Sequence, residues 1–254
     1  MNWSVLILAA GRGPDDPMAK AYGVANKCMI PVAGVPMLKR VANAVAASGV
    51  ARRTVVSIEN ADMALELLGD RVLIVQSAGS APGSVLAAVL DGDVTYPVLV
   101  TTGDHALLTP AMVQHFCAAA ETSGADFCAG LASAETILAA YPGAVRTFFT
   151  FGPDRVSGCN LFALNTERAL ALLERWQYLE QVRKKPWRLV AAFGVSPLIQ
   201  FLLGRLTLDS AFAIVSRQLG LVAKPVLMPF AEAAIDVDKP ADKDLAERIL
   251  ASRH

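Results

Sequence analysis

Short apolar runs rich in Val, Ile and Leu alternate along the chain with longer segments in which apolar residues return at helical spacing. Runs of the first kind read as strands buried on both faces, so the alternation predicts a mostly parallel sheet covered by helices on either side. The predicted strands are 3–8, 54–58, 72–76, 98–102, 127–131, 160–164 and 222–228, and the predicted helices are 37–47, 61–68, 83–90, 110–122 and 167–181. Pro110 suits a first helical turn, where an amide hydrogen has no partner, and Thr109 before it suits the N-cap. Regular alternation breaks after residue 180. A basic cluster, Arg183-Lys184-Lys185-Pro186-Trp187-Arg188, leads into two apolar helices predicted at 189–203 and 208–219, and the α/β pattern then resumes at 234–240 and ends in a helix at 241–252. The organisation implied is one α/β domain over 1–254, three-layered, with an apolar helical insertion at 183–220.

Composition narrows the function classes. With 54% apolar and 18% charged residues the chain can build a large core, which excludes disorder over most of its length. Twenty-three basic residues balance twenty-three acidic ones, so the positive field that gathers nucleic acid is missing. Cys28, Cys117, Cys128 and Cys159 are scattered and form no C-x-x-C pair, which suggests neither a zinc site nor a disulfide framework and points to a reducing compartment. The opening M-N-W-S-V-L-I-L-A-A has no positive n-region and reads as a strand rather than a signal peptide. The longest uncharged stretch, interrupted by Gly194 and Pro197, has about 16 residues, short of the roughly 20 that span a bilayer. A cytoplasmic location is expected.

Candidate chemistry gathers at strand ends. The loop after the first strand reads Leu8-Ala9-Ala10-Gly11-Arg12-Gly13-Pro14, and its glycines permit either a tight turn or a loop whose backbone amides close on phosphate. No Gly-Lys-Ser/Thr ends it, so it is not a Walker A loop, and Asp16 stands where a dinucleotide fingerprint needs its third glycine. Glu59 closes the second strand but lies about 48 residues beyond Gly11, against the roughly 20 expected of a ribose-binding acid in an NAD site. Asp104 follows the strand ending in Thr-Thr-Gly and fits either a metal ligand or an Asx turn; His105 beside it reads as a loop residue or a substrate contact. Asp236 and Asp238 bracket Val237 at the end of a late strand, where alternation turns both carboxylates to one side, fit to hold a cation; helix caps are the other reading. The stretch Gln76-Ser77-Ala78-Gly79-Ser80-Ala81-Pro82-Gly83-Ser84 is a small-residue turn that can also read a base edge.

Taken in order, L-A-A-G-R-G, a downstream lysine, P-V-x-G-x-P-M-L, T-G-D and I-D-V-D-x-P-x-D resemble the nucleotidyltransferases of the MobA-like or sugar-phosphate type. The resemblance runs from Val5 to Leu250, with the block at 183–220 least matched. It implies a nucleotide-diphospho-sugar transferase-like, Rossmann-related fold. It also implies in-line attack by an acceptor phosphate on the α-phosphorus of a nucleoside triphosphate, with pyrophosphate leaving and Mg²⁺ and basic side chains offsetting charge. By carry-over, Ala10, Gly11, Arg12 and Gly13 wrap the triphosphate, and Arg12 and Lys27 act at the α-phosphate with Lys20 as the fallback for Lys27. Asp104 holds the metal together with Asp236 or Asp238, and Gln76, Gly79 and Gly83 meet base and ribose. Ser157-Gly158-Cys159-Asn160 resembles the segment facing the acceptor; Asn160, with Arg146 upstream, is the candidate acceptor contact, the alternative being a turn and a surface arginine. A-A-G in place of A-G-G favours a pyrimidine, CTP before UTP. The segment Pro14 to Tyr22 departs from the pattern, since it spaces Arg12 from Lys27 and puts Asp15 and Asp16 near a polyphosphate.

The expected activity is Mg²⁺-dependent transfer of a nucleoside monophosphate to a phosphorylated small alcohol or sugar. Two alternatives stand beside it. In a nucleotide-sugar-dependent glycosyltransferase, Asp236-Val237-Asp238 would serve as the D-x-D metal motif, though the Arg12 and Lys27 loop would then lack a purpose. In a non-catalytic nucleotide-binding or interaction module, retention of Arg12, Lys27, Asp104 and Asp236 would be unexplained. The cluster at 183–188 is either a solvated charge run or, with the apolar helices after it, a peripheral membrane contact or a pocket for a lipid-like phosphate. A homo-oligomer is left open.

Overall fold

Trp3–Leu8 is apolar on both faces and almost wholly buried, the pattern of a strand at the centre of a covered sheet. The computed structural model describes residues 2–11, 13, 15–182 and 195–253. Their order is β1 (Trp3–Leu8), α1 (Pro17–Ala21), β2 (Pro31–Val32), β3 (Val35–Pro36), α2 (Met37–Ser48), β4 (Ala51–Ile58), α3 (Ala61–Leu68), β5 (Leu73–Gln76), α4 (Ala81–Leu90) and β6 (Val98–Thr102). Then follow α5 (Pro110–Thr122), β7 (Phe127–Ser133), α6 (Ala134–Ala140), β8 (Phe149–Phe151), β9 (Asp154–Leu164), α7 (Leu170–Val182), α8 (Val195–Leu202), α9 (Leu208–Leu219), β10 (Ala223–Leu227) and α10 (Pro240–Ala251).

The main sheet runs β10-β7-β9-β6-β1-β4-β5, with β8 folded back on β9. Pairing is parallel except around β9, which runs antiparallel to β6, β7 and β8. On one face α2, α3, α5 and α6 bury Leu38, Val41, Leu68, Phe116 and Ile137; on the other, α4, α7 and α9 bring Val85, Leu173 and Phe212. The three-layer, mostly parallel α/β expectation therefore holds. The expected N-cap is present too, since the Thr109 side chain accepts the Met112 amide at the start of α5.

Several elements depart from the expectations. Residues 235–238 are in no strand and pair with none among the described residues, so the expected late strand at Asp236 is absent. Alternation nonetheless survives there: Ile235 and Val237 are fully buried, which turns the two aspartates the other way. The α1, α6, β2, β3 and β8 elements were not foreseen. They are short, and α1 depends on Asp16, whose buried carboxylate accepts the Met18 and Ala19 amides as N-cap. Strand β9 begins six residues before the expected 160–164 run. In the helical block, α8 falls inside the expected 189–203 helix, while α9 coincides with 208–219 and packs Phe212, Val215 and Leu219 onto the sheet beside β10. The cluster at 183–188 and the first part of the 189–203 helix lie outside the described residues. Among the described residues no helix is long and apolar enough to cross a membrane.

Candidate active site

The chain leaves β1 for β4 and β5 on one side and returns to β6 on the other, so the strand order reverses at β1. Open α/β sheets bind ligands outside the carboxyl ends of the strands at such a reversal. Here a cleft of about 450 Å³ opens beside Leu8, Ser57 and Thr102, the ends of β1, β4 and β6. That volume suits a nucleotide-sized ligand.

Two segments line the cleft and a third meets it at Lys27, and a small apolar cluster fixes the three to one another. Met18, Ile30 and Met37 anchor the loop that carries Lys27, Ala106 and Leu107 anchor the turn after Asp104, and Ile235 and Val237 anchor the aspartate segment against Ala246 and Ile249 of α10. Asn26 clamps the lysine loop: its Nδ2 donates to the Ala9 carbonyl at 2.8 Å, and its Oδ1 accepts the Cys28 amide at 2.7 Å, capping the turn Lys27–Met29. Gly103 lets the Asp104 turn approach, since a Cβ there would fall 3.0 Å from Cys28 Sγ and 3.1 Å from Ala9 Cβ. The Val237 amide then donates to the Asp104 carbonyl, tying two of the segments.

Lys27 Nζ donates to Asp104 Oδ2 at 2.6 Å and to Asp238 Oδ1 at 2.7 Å. Burial alone would lower the lysine's pKa, but Asp104 and Asp238 together outweigh it and raise the value, so the ammonium keeps its charge. Asp236 accepts Arg146 Nη1 at 2.8 Å and Asn160 Nδ2 at 3.0 Å. Its pKa is pushed up by burial and by the charges of Asp104 and Asp238, against the pull of Arg146 and Asn160. The three aspartates are thus close enough to feel one another's charge.

Of the residues expected at the site, Ala10, Gly11, Gly13, Lys27, Gly79 and Asp104 line the cleft. Arg12 lies outside the described residues. Lys20, the fallback for Lys27, is exposed and pairs with exposed Asp15 at 2.7 Å. Asp16 is spent as a helix cap. Gln76 is exposed and its Nε2 donates to the Glu59 carbonyl at 3.5 Å. Gly83 serves packing: a Cβ there would fall 2.8 Å from Ser80 Oγ and 3.0 Å from Gln177 Nε2. Arg146 is not a surface arginine, because its side chain is 7% exposed and its guanidinium is divided between Asp236 and Asp242, both at 2.8 Å. Asn160 does reach the site. It adopts φ 49° where residues 159–161 of β9 stand opposite Gly130 of β7, an irregularity that re-aims its side chain at Asp236. His105 is buried, and burial lowers its pKa to about 4, so it is neutral. Sequence reasoning missed Asn26 and Ser57; Asn26 carries the one readable signal, an N-capping residue directly before Lys27.

The description of the MobA-like NTP transferase domain matches residues 5–192. The chain belongs to the MobA-like NTP transferase family. It is a nucleotidyltransferase, and its fold agrees with that of solved structures. A hypothetical transferase from Thermus thermophilus is 28% identical, with a TM-score of 0.81 over 96% of this chain and 100% of that one. A 4-diphosphocytidyl-2C-methyl-D-erythritol synthase from Anaerococcus prevotii DSM 20548 is 13% identical, with a TM-score of 0.60 over 98% of this chain and 97% of that one. A CMP:2-keto-3-deoxy-manno-octonic acid synthetase complexed with CTP is 12% identical, with a TM-score of 0.58 over 100% of this chain and 99% of that one. None of the curated proteins compared with the chain by sequence matches it.

The donor set can be tested for a divalent cation. Among the described residues no three His, Cys, Asp or Glu side chains converge as a ready cage. Magnesium bound through one or two carboxylates and substrate phosphates needs none. Asp104 Oδ1 is buried without a hydrogen-bond partner, which suits a hard-cation ligand, and Asp236, held by Arg146 and Asn160, is a second carboxylate close enough to feel its charge. The residues present therefore fit the ion. Asp238 is engaged by Lys27.

Proposed function

We propose that the protein is a cytoplasmic, magnesium-dependent cytidylyltransferase that moves CMP from CTP to a phosphorylated small alcohol or sugar, with release of pyrophosphate. The observation that carries this reading is Lys27. A buried ammonium, kept charged by Asp104 and Asp238, stands at the mouth of β1 beside a glycine loop, where charge on a transferring phosphoryl group needs to be offset. The likeness to two structures named for cytidylyl chemistry supports CTP. Four buried, free cysteines agree with a reducing compartment.

In this reading Gly13 and Arg12 draw in the phosphates, while Lys27 steadies the non-bridging oxygens of the α-phosphoryl group as the leaving pyrophosphate parts from it. The segment with Ser80 and Ser84 also lines the cleft and in this reading meets the nucleoside. Asn160 stands at the acceptor end, and Arg146 acts through Asp236 by fixing its orientation. Magnesium bound by Asp104 and Asp236 would neutralise phosphate charge. A glycosyltransferase reading fits less well, because it leaves Lys27 and the glycine loop beside it without a purpose.

Pyrophosphate release from each of the four ribonucleoside triphosphates, against a panel of phosphorylated polyols and sugars, tests the proposal. The expected outcome is turnover with CTP that fails in Lys27→Ala. Turnover of nucleotide sugars alone would move the protein to glycosyl transfer.

A further inference from the structure

Glu59 directly follows β4, the strand beside β1, and its carboxylate forms part of the cleft wall. Its Oε2 accepts the Gly11 amide at 3.0 Å and its Oε1 accepts Asn26 Nδ2 at 2.8 Å. The loop is shaped for this contact: a Cβ at position 11 would lie 3.0 Å from Glu59 Oε1 and 3.3 Å from Asn26 Nδ2, so glycine lets the backbone close on the carboxylate without either side chain giving way. Two consequences follow. The Gly11 amide is already engaged by an anion that belongs to the protein, and a phosphate cannot share that spot with an ionised carboxylate. What this part of the cleft can accept is a hydrogen-bond donor, since each carboxylate oxygen has taken one bond and retains a second acceptor position.

Topology says which donor. In the dinucleotide-binding form of the doubly wound α/β fold, an acidic residue at the end of the strand next to β1 accepts a ribose 2′-hydroxyl, and the same strand end is available to a nucleotide here. The spacing of Glu59 from Gly11 argues against that role in sequence. The structure removes the objection, because β1, α2 and β4 form the first β-α-β unit, and residues 9–36, with α1 and the β2–β3 hairpin, are looped out between β1 and α2. Glu59 therefore occupies the position of the ribose-binding acid despite its distance along the chain.

We propose that Glu59 is a sugar-specificity residue whose two carboxylate oxygens accept hydrogen bonds from the 2′- and 3′-hydroxyls of the nucleotide, making the site selective for ribonucleotides. The Gly11 amide then holds the carboxylate, and the phosphates lie on the Lys27 side of the cleft. This rests on the reading of the cleft as a nucleoside triphosphate site.

The test is equilibrium binding, with Mg²⁺, of the four ribonucleoside triphosphates and their 2′-deoxy counterparts to the wild type, Glu59→Gln and Glu59→Ala. Unliganded melting temperatures report whether each variant is folded. A hydrogen bond to a charged acceptor predicts that the wild type favours its ribonucleotide by about tenfold or more, and that both variants narrow the ratio to about twofold, mainly by weakening the ribonucleotide. A wild type indifferent to the 2′-hydroxyl, or a preference retained in Glu59→Gln, would overturn the assignment while leaving the triphosphate reading intact. Equal tightening of both sugars in the variants would overturn it too, by making Glu59 a competitor of phosphate. If no triphosphate of either kind binds the wild type, the reading beneath it falls as well.

Discussion

Lys27 is 11% exposed and Asp104 15%, so their 2.6 Å contact is made largely out of water. Such a pair is costly to break from one side, because the remaining charge stays buried. Replacing Lys27 by alanine also removes the positive charge facing the α-phosphate. Loss of one preorganised charge donor of this kind costs about 10² to 10³ in kcat. The expected result for Lys27→Ala is a fall of that order in kcat with a smaller change in triphosphate affinity, read by steady-state kinetics and by direct binding. His105, one residue beyond Asp104, sets a pH dependence of stability. Above its unfolded pKa of 6.5 the imidazole is neutral in both states; between 6.5 and its folded value of about 4 only the unfolded chain takes up the proton. Acidification through that window therefore favours unfolding, by up to about 3 kcal/mol at roughly 1.4 kcal/mol per pKa unit. Urea midpoints measured in chelator from pH 7 to 4.5 should fall more steeply for the wild type than for His105→Phe. Equal slopes would show that other groups govern the acid limb.

At the scale of elements, the site depends on one short segment clamped by the first turn of α10. Asp242 accepts the Asp238 and Lys239 amides through Oδ2, at 3.1 and 2.9 Å, and Arg146 through Oδ1 at 2.8 Å. One carboxylate thus caps the helix and holds the arginine that orients Asp236. Groups that orient a metal ligand are typically worth 10- to 100-fold in metal affinity or activity, so Asp242→Ala is expected to raise the half-saturating Mg²⁺ concentration by about 10-fold or more. A rise in triphosphate KM at saturating Mg²⁺, with no change in metal requirement, would place its role elsewhere. This clamp also marks where the sequence stops being readable. Helices such as α3, α5 and α9 were legible to the residue because long apolar periodicity and capping residues agree there. Lys27 and Asp104 were legible because a motif names them. Arg146 was not, since a lone arginine before a strand carries no sign that the chain buries it between two aspartates some 90 residues on. Asp236 was expected on a strand because buried Ile235 and Val237 alternate with it, and alternation alone cannot show that no partner strand lies alongside. Spacing is a poor guide to Glu59 for a related reason: it measures chain, and the loop-out at 9–36 lengthens the chain without moving the strand end.

The whole molecule carries no net charge, so no long-range field draws in a polyanion, and entry to the cleft is decided locally. Locally the balance opposes a bare triphosphate: Asp104 and Asp238 are close enough to raise the pKa of Asp236 through their charge, while Lys27 and Arg146 are already paired with these carboxylates. A divalent cation alone gains two carboxylates but has no phosphate oxygens to complete its shell, and a triphosphate alone meets repulsion from the aspartates and Glu59. Either by itself should therefore bind weakly, and the two together strongly. Ligand bound only by the folded state stabilises it by about 2.7 kcal/mol at one hundred times Kd. For a chain of this length that corresponds to a rise in Tm of roughly 5 to 10 °C. The expected thermal-shift result is a rise of this size for CTP with Mg²⁺, a shift of under about 2 °C for either alone, and loss of the rise on adding EDTA or in Asp104→Ala. A full shift from CTP without metal would mean that Lys27 and the loop amides suffice to hold the phosphates, and that the three aspartates serve a purpose other than gathering a cation.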